Sequence, residues 1–245
     1  MYGRSQFVGL SNFIGLLFDD RFITSMGLTC LFVAVAVPAE FLLGLGFALT
    51  LHKEIPGGRT IRSMVLLPYV AVPVVIGLTW RILFNYQAGL VNYLLYLIGL
   101  PKLLWLSTPH LAFLSVLIAD LWRWSPFATL MILAGLRAIP VDLFEAAEVD
   151  GATSVQKLIW ITLPMLKPII LVVLLLRTIG VFKIFDLVYM LTEGGPGNAT
   201  DFISFYIFKV GFRIWNLGEA AAASYYLLLI ILGITFILMR QFRTT

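Results

Sequence analysis

Two groups of residues in this 245-residue chain have the types and spacing to do chemistry. The first is a set of polar and aromatic side chains set in long apolar runs. Asp120, Arg123 and Trp124 fall within one helical turn, and Lys183, Asp186 and Tyr189 follow at i, i+3 and i+6. Ser224, Tyr225 and Tyr226 follow an alanine run, and Thr79 and Trp80 stand in another apolar stretch. Ionisable groups in hydrocarbon are costly and by default mark a solute or ion path. Carboxylates, hydroxyls and ring faces hold a polar solute reversibly and break none of its bonds. A plainer reading stands beside this one. Asp120–Arg123 and Lys183–Asp186 can pair along a helix, and Trp and Tyr settle at membrane–water boundaries. The candidate path residues are Trp80, Asp120, Trp124, Asp186, Tyr189 and Tyr225.

The second group is a polar island, residues 137–167, lying between two very apolar segments. It carries Asp142, Glu145, Glu148, Asp150, Lys157 and Lys167. Pro140 ends the preceding helix and restricts Ile139. Asp142 is placed to cap a short helix over 143–149, whose middle is Glu145-Ala146-Ala147. Small alanines let a partner surface approach closely. Gly151 ends that helix through positive φ. Thr153 or Ser154 caps a second short helix running to the Leu163-Pro164 break, with Leu158, Ile161 and Thr162 on its packing face. A helix-glycine-helix element joined to two spans can act as a knob that moves both. An ordinary loop is the alternative.

Other chemistry has little support. His52 and His110 have no Cys or Glu neighbours at ligand spacing, so no metal site is read. No nucleophile sits with a base, so a membrane-embedded enzyme is disfavoured. Cys30, the single cysteine, is expected as a buried structural thiol. No G-x-x-x-x-G-K-[ST] occurs, so any ATP, with its Mg, is bound by another chain and no cofactor is expected in this one. The net charge of +4 is dispersed and gives no nucleic-acid stripe.

These residues must be held by membrane-spanning helices. The chain is 60% hydrophobic and 12% charged, against roughly 25% charged in soluble domains, so its main solvent is lipid. The expected fold is an all-α polytopic bundle. Five stretches reach the length of about 20 apolar residues that a span needs: about Ser25 to Leu51, Ser63 to Phe84, Leu111 to Leu136, Pro168 to Leu191, and Glu219 to Met239. Kinks are expected near Pro38, Pro68, Pro73 and Pro126, and Glu40 lies inside the first span. Leu90 to Leu100 is too short to cross and reads as an interfacial or re-entrant helix. Residues 192–217 read as an irregular outer loop opening on Thr192-Glu-Gly-Gly-Pro-Gly-Asn198.

Basic residues orient the bundle. Lys53, Arg59, Arg62, Arg137, Lys157, Lys167, Arg240 and Arg243 fall on one side; Arg4, Arg21, Arg81, Lys102, Lys209 and Arg213 fall on the other. The larger set is taken as cytoplasmic. Residues 1–24 then form an extracytoplasmic amphipathic segment, 25–239 one transmembrane domain, and 240–245 a cytoplasmic tail. That segment is no signal peptide, so a sixth, N-terminal span is expected upstream of this chain.

The island is also a motif. Glu145-Ala146-Ala147, three residues, Gly151, nine residues, then Ile161-x-Leu163-Pro164 resembles the EAA loop of the transmembrane permease subunits of ABC importers. Phe7–Phe13, Asp150-Gly151-Ala152-Thr153, Phe185–Thr200 and Gly218–Ala222 resemble the carbohydrate-uptake group, and Phe185–Thr200 resembles its MalF-like subunits. The resemblance implies a path for a sugar, polyol or similar solute. It implies a second, MalG-like permease subunit, two cytoplasmic ABC ATPases, an extracytoplasmic solute-binding protein, and a bacterial or archaeal cell membrane. It also implies that Glu145, Ala146, Ala147, Asp150, Gly151, Leu163 and Pro164 couple the chain to the ATPase. A self-sufficient secondary transporter or a channel is the alternative.

Overall fold

The computed structural model describes residues 7–52 and 58–243, which form helices and connections without a strand. Arg4 and Lys53, two of the orienting cations, lie outside the described residues. Four helices are long and apolar enough to cross a membrane, and a bent pair raises the number to five among the described residues. The first is α2 (Asp20–His52), preceded by the short α1 (Ser11–Leu16). At 1.5 Å per residue its 33 residues reach about 50 Å, beyond a hydrocarbon core of about 30 Å. It therefore begins inside what the sequence suggests is a separate amphipathic segment. It runs on through Pro38 without a break.

The second expected span is not one helix. It is α3 (Gly58–Val70) and α4 (Pro73–Leu83), bent by 102°. Pro73 forces this: its ring drives Val72 to extended backbone (φ −65, ψ 133), and α4 starts afresh on the proline. Pro68 stays within α3. After α4 comes α5 (Leu90–Leu97), the short helix expected there, ended by Gly99 at φ +78. Asn92 staples this segment. Its amide donates to the carbonyls of Tyr86 and Leu103, and its oxygen accepts from Leu103 N and Trp105 Nε1.

The third span, α6 (Pro109–Ala138), continues through Pro126 and packs most extensively on α2. A Cβ on Gly44 of α2 would lie 2.5 Å from Ala128 Cβ of α6, so the two backbones touch. Close approach through small residues is how helices associate where lipid gives no hydrophobic drive. Beyond α6 come α7 (Asp142–Val149) and α8 (Ser154–Lys157).

The fourth span differs from expectation at both ends. A π-turn over Leu158–Thr162 joins α8 directly to α9 (Leu163–Phe182), so one helical rod runs from Ser154 to Phe182. There is no break at Leu163-Pro164. Pro164 directly follows the π-turn, the widened stretch at which a continuous helix passes an irregularity. Thr162 Oγ1 donates to the Lys157 carbonyl at 3.2 Å inside the widened turn. At the other end the rod stops at Phe182. Asp186–Leu191 is a separate helix, α10, packed on α4.

The segment 192–217, read from sequence as an irregular loop, is also partly helical. After an irregular stretch come α11 (Ile203–Phe208) and a π-turn (Lys209–Arg213). Buried Asp201 accepts from Arg21 at 3.4 Å and from Lys209, and Ile203 N donates to Thr29 Oγ1 at 2.8 Å. These bonds pin the segment to α2. The last span is α12 (Leu217–Arg243). Cys30 is exposed on α2 rather than buried, because its helix face turns away from the bundle.

The α2–α6 contact predicts a contrast between neighbouring glycines. Gly44→Val overpacks it and lowers stability by about 1–3 kcal/mol. Gly46→Val, with nothing within 4 Å of its Cβ position, leaves stability close to wild type. Thermal unfolding of the detergent-solubilised protein, followed by tryptophan fluorescence, measures both.

Candidate functional site

The polar island folds as a hairpin. α7 carries Glu145, Ala146 and Ala147. Its N-cap is Val141, without a side-chain bond; Asp142 is already the first helical residue and does not cap. Gly151 closes the helix at φ +73. Gly151 N donates to the Glu148 carbonyl at 3.0 Å and Ala152 N to the Ala147 carbonyl at 2.9 Å, the double bond pattern of a Schellman end. Thr153 caps α8: its Oγ1 accepts from Gln156 N while Gln156 Oε1 accepts from Thr153 N. Lys157 Nζ bridges the two helices to Glu148 at 2.6 Å. That hydrogen bond holds the exposed Glu148 carboxyl below the usual carboxylate range.

The hairpin presents a cleft of about 340 Å³ lined by Ala147, Asp150, Gly151, Ala152, Gln156, Lys157, Trp160 and Ile161. Trp160 is 77% exposed and Val149 88%. Glu145 and Ala146 are exposed too. Large apolar groups exposed beside small residues mark a surface that takes another protein or a membrane. The expected packing face holds: Thr162 is buried, with Leu158 and Ile161 half-buried. Phe144 of α7 packs against Ala48, Ile132, Leu136, Ile139 and Leu166, so the hairpin is seated on the ends of α2, α6 and α9. Leu163 and Pro164 lie in the rod just beyond the cleft rather than at a hinge.

Deeper in the bundle lies an ion triad. Arg177 of α9 donates Nε and Nη2 to the two oxygens of Glu40 on α2, and Nη2 also to Asp120 on α6. All three residues are at most 2% exposed. The guanidinium carbon stands 4.4 Å from the centre of the Trp124 ring, a cation–π contact strengthened by desolvation. Asp120 thus pairs across helices with Arg177, not along its own helix with Arg123. Lys183 and Asp186 are likewise not a helical pair: Lys183 caps α9 and Asp186 begins α10, and both are exposed.

Asp120, Arg123, Trp124, Arg177, Gly180, Lys183 and Asp186 line one cavity of about 170 Å³. Three of the six candidate path residues, Asp120, Trp124 and Asp186, therefore meet. The others lie elsewhere. Trp80 stacks on Phe84 and meets Trp122 edge-on. Tyr189 packs among Phe185, Phe205 and Phe208. Tyr225 is exposed beside Phe13. Arg177 is the residue that sequence reasoning missed. Its signal was available, a lone cation in the apolar run of α9.

Comparison with known proteins fits this geometry. Residues 11–243 match the family described as binding-protein-dependent transport system inner membrane component. The chain is 42% identical over 221 residues to the trehalose/maltose transport system permease protein MalF of Thermococcus litoralis, covering 90% of this chain and 74% of that protein. Its fold is similar to a crystal structure of a bacterial ABC transporter that imports the acidic polysaccharide alginate, with TM-score 0.89, 24% identity, and coverage of 98% and 85%. It is also similar to the bacterial alginate transporter in complex with an alginate pentasaccharide-bound periplasmic protein, with TM-score 0.86, 25% identity, and coverage of 94% and 81%.

The triad carries a direct consequence. Arg177→Met strands two carboxylates in the bundle and costs about 3–5 kcal/mol, the usual loss on breaking a buried ion pair. The expected result is little monodisperse protein on size-exclusion chromatography after extraction from membranes.

Proposed function

Because the chain belongs to the binding-protein-dependent transport inner-membrane components, a family of multi-pass ABC-importer permeases, we propose that it forms half of a sugar or polyol path and is driven through its hairpin. The observation that carries this reading is mechanical. The exposed cleft around Gly151 is continuous, through the π-turn, with the rod that holds Arg177. At 1.5 Å per residue, Lys157 and Arg177 are about 30 Å apart on that rod. A push at the cleft is delivered to the cavity.

The partners follow from this reading. A cytoplasmic ABC ATPase, in two copies, receives α7 and the Val149–Trp160 surface in a groove. Glu145, Ala146, Ala147, Asp150 and Gly151 make the contact, and Leu163 and Pro164 carry it into the rod. A second permease subunit supplies the other half of the path. An extracytoplasmic binding protein delivers solute to the opposite end, where Arg81–Glu193 and the Asp201 cluster hold the outer segments. ATP and Mg belong to the ATPase. The hairpin side then faces the cytoplasm of a bacterial or archaeal cell, and residues 25–239 act as one permease domain.

The chemistry of the cavity suits such a solute. Carboxylates, cations and an indole face bind hydroxyl-rich molecules without making or breaking bonds. The 42% identity to a trehalose/maltose permease makes those disaccharides the first to test. Energy enters by linkage: ATP, loaded binding protein and solute each bind one state of the spans better than the other.

Two variants separate coupling from the path. Gly151→Val forces a β-branched residue to φ +73, a strain of about 1–3 kcal/mol. It is expected to lower ATPase copurification or to leave hydrolysis running without uptake, while the binding protein keeps its solute affinity. Normal uptake with normal copurification would end the coupling role. Asp186→Asn, at an exposed cavity position, is expected to reduce uptake of trehalose or maltose in proteoliposomes with assembly intact. Loss of assembly instead would make Asp186 structural.

A further inference from the structure

Glu40 is fully buried on α2 and is not a lining residue of the cavity, yet it takes two of the donors of Arg177, one of the two guanidiniums that line it. Asp120 takes a further bond from Nη2. The remaining terminal nitrogen, Nη1, lies beside a lining residue: a Cβ on Gly180 would sit 3.4 Å from it. The plane of the guanidinium is fixed as well, by Trp124 at 4.4 Å. Arginine presents its donors in a rigid fork, so fixing Nε and Nη2 aims Nη1.

We propose that Glu40 is a positioning residue, which holds Arg177 so that Nη1 faces the solute cavity as an aimed, charged hydrogen-bond donor. The inference rests on the cavity being the solute path. A lone Asp120 on Nη2 leaves the fork free to swing, whereas the paired oxygens of Glu40 define its orientation. The glycine at 180 keeps the space before Nη1 open. Glu40 also ties this donor to α2, a helix that adds no residue of its own to the cavity lining. Movement of α2 against α9 therefore re-aims Nη1 and changes the hold on solute.

The test uses the complete transporter in proteoliposomes with its binding protein, and radiolabelled trehalose and maltose as probes. Glu40→Gln keeps Arg177 paired with Asp120. It is expected to assemble and hydrolyse ATP within about twofold of wild type, while uptake falls about tenfold, the scale of one charge-assisted hydrogen bond. Glu40→Asp, which restores the anion with a shorter reach, is expected to regain part of the uptake. Wild-type uptake by Glu40→Gln overturns the inference. If Glu40→Gln instead loses assembly, the charge-free triple variant Glu40→Gln/Asp120→Asn/Arg177→Met decides. Assembly regained without uptake supports the aimed donor, and uptake regained with assembly reduces the triad to a structural tie. A wild-type transporter that imports neither probe removes the sugar-path reading on which the inference rests, whereas active wild type with active Glu40→Gln removes the inference alone.

Discussion

Charge buried in a membrane bundle must find opposite charge within reach, and here that requirement sets the packing of three helices. Glu40 on α2, Asp120 on α6 and Arg177 on α9 are almost wholly buried and meet in one hydrogen-bonded cluster. None of them is tolerable alone in hydrocarbon. Their meeting fixes the depth and rotation of each helix relative to the other two. Apolar contacts among lipid-like side chains would allow sliding, because the bilayer competes for them equally well. The close α2–α6 contact at Gly44 and Ala128 then follows on one side of the triad. The cavity lies on another, sharing Asp120 and Arg177 with it.

Around this fixed centre the two ends of the bundle are built differently. One end is a continuous rod that carries the hairpin. The Schellman end at Gly151, the capping box at Thr153 and the Glu148–Lys157 bridge shape the hairpin, and Phe144 seats it on three helices. The π-turn keeps it in line with α9. The other end is assembled from short pieces: α5 stapled by Asn92, α10 against α4, and α11 tied to α2 through Asp201 and Thr29. The 102° bend between α3 and α4 makes that span a broken element rather than a stiff one. A continuous rod at one end and short pieces at the other suit the driven transport proposed above.

Much of this was legible in the chain and some was not. Long apolar runs mark spans because water and lipid sort residues by composition, so α2, α6 and α12 stood out. The hairpin was readable because caps and positive-φ glycines are local chemistry, as Thr153 and Gly151 show. Prolines were readable only in part. Pro38 and Pro126 sit inside their spans as expected, whereas Pro164, expected to end a helix, follows the π-turn within a continuous rod. Pro73 breaks its span outright. The site was half legible. Asp120, Trp124 and Asp186 were singled out by polarity alone and do meet. Which cation pairs with Asp120 is a tertiary fact, because Arg123 is near in sequence and Arg177 is near in space. Trp80 and Tyr189 pack among aromatic rings and Tyr225 is exposed beside Phe13, apart from the cavity that brings the other three together.

The central claim is that this permease chain works only as part of an ATP-driven assembly, joined to its motor by the hairpin at Glu145 to Gly151. The most direct measurement is affinity purification of the tagged chain in mild detergent, with every copurifying chain identified and counted by mass spectrometry. The account predicts a second permease subunit at one copy and a Walker-type ATPase at two. Recovery of a stable, monodisperse chain on its own, active in transport without ATP, would contradict it.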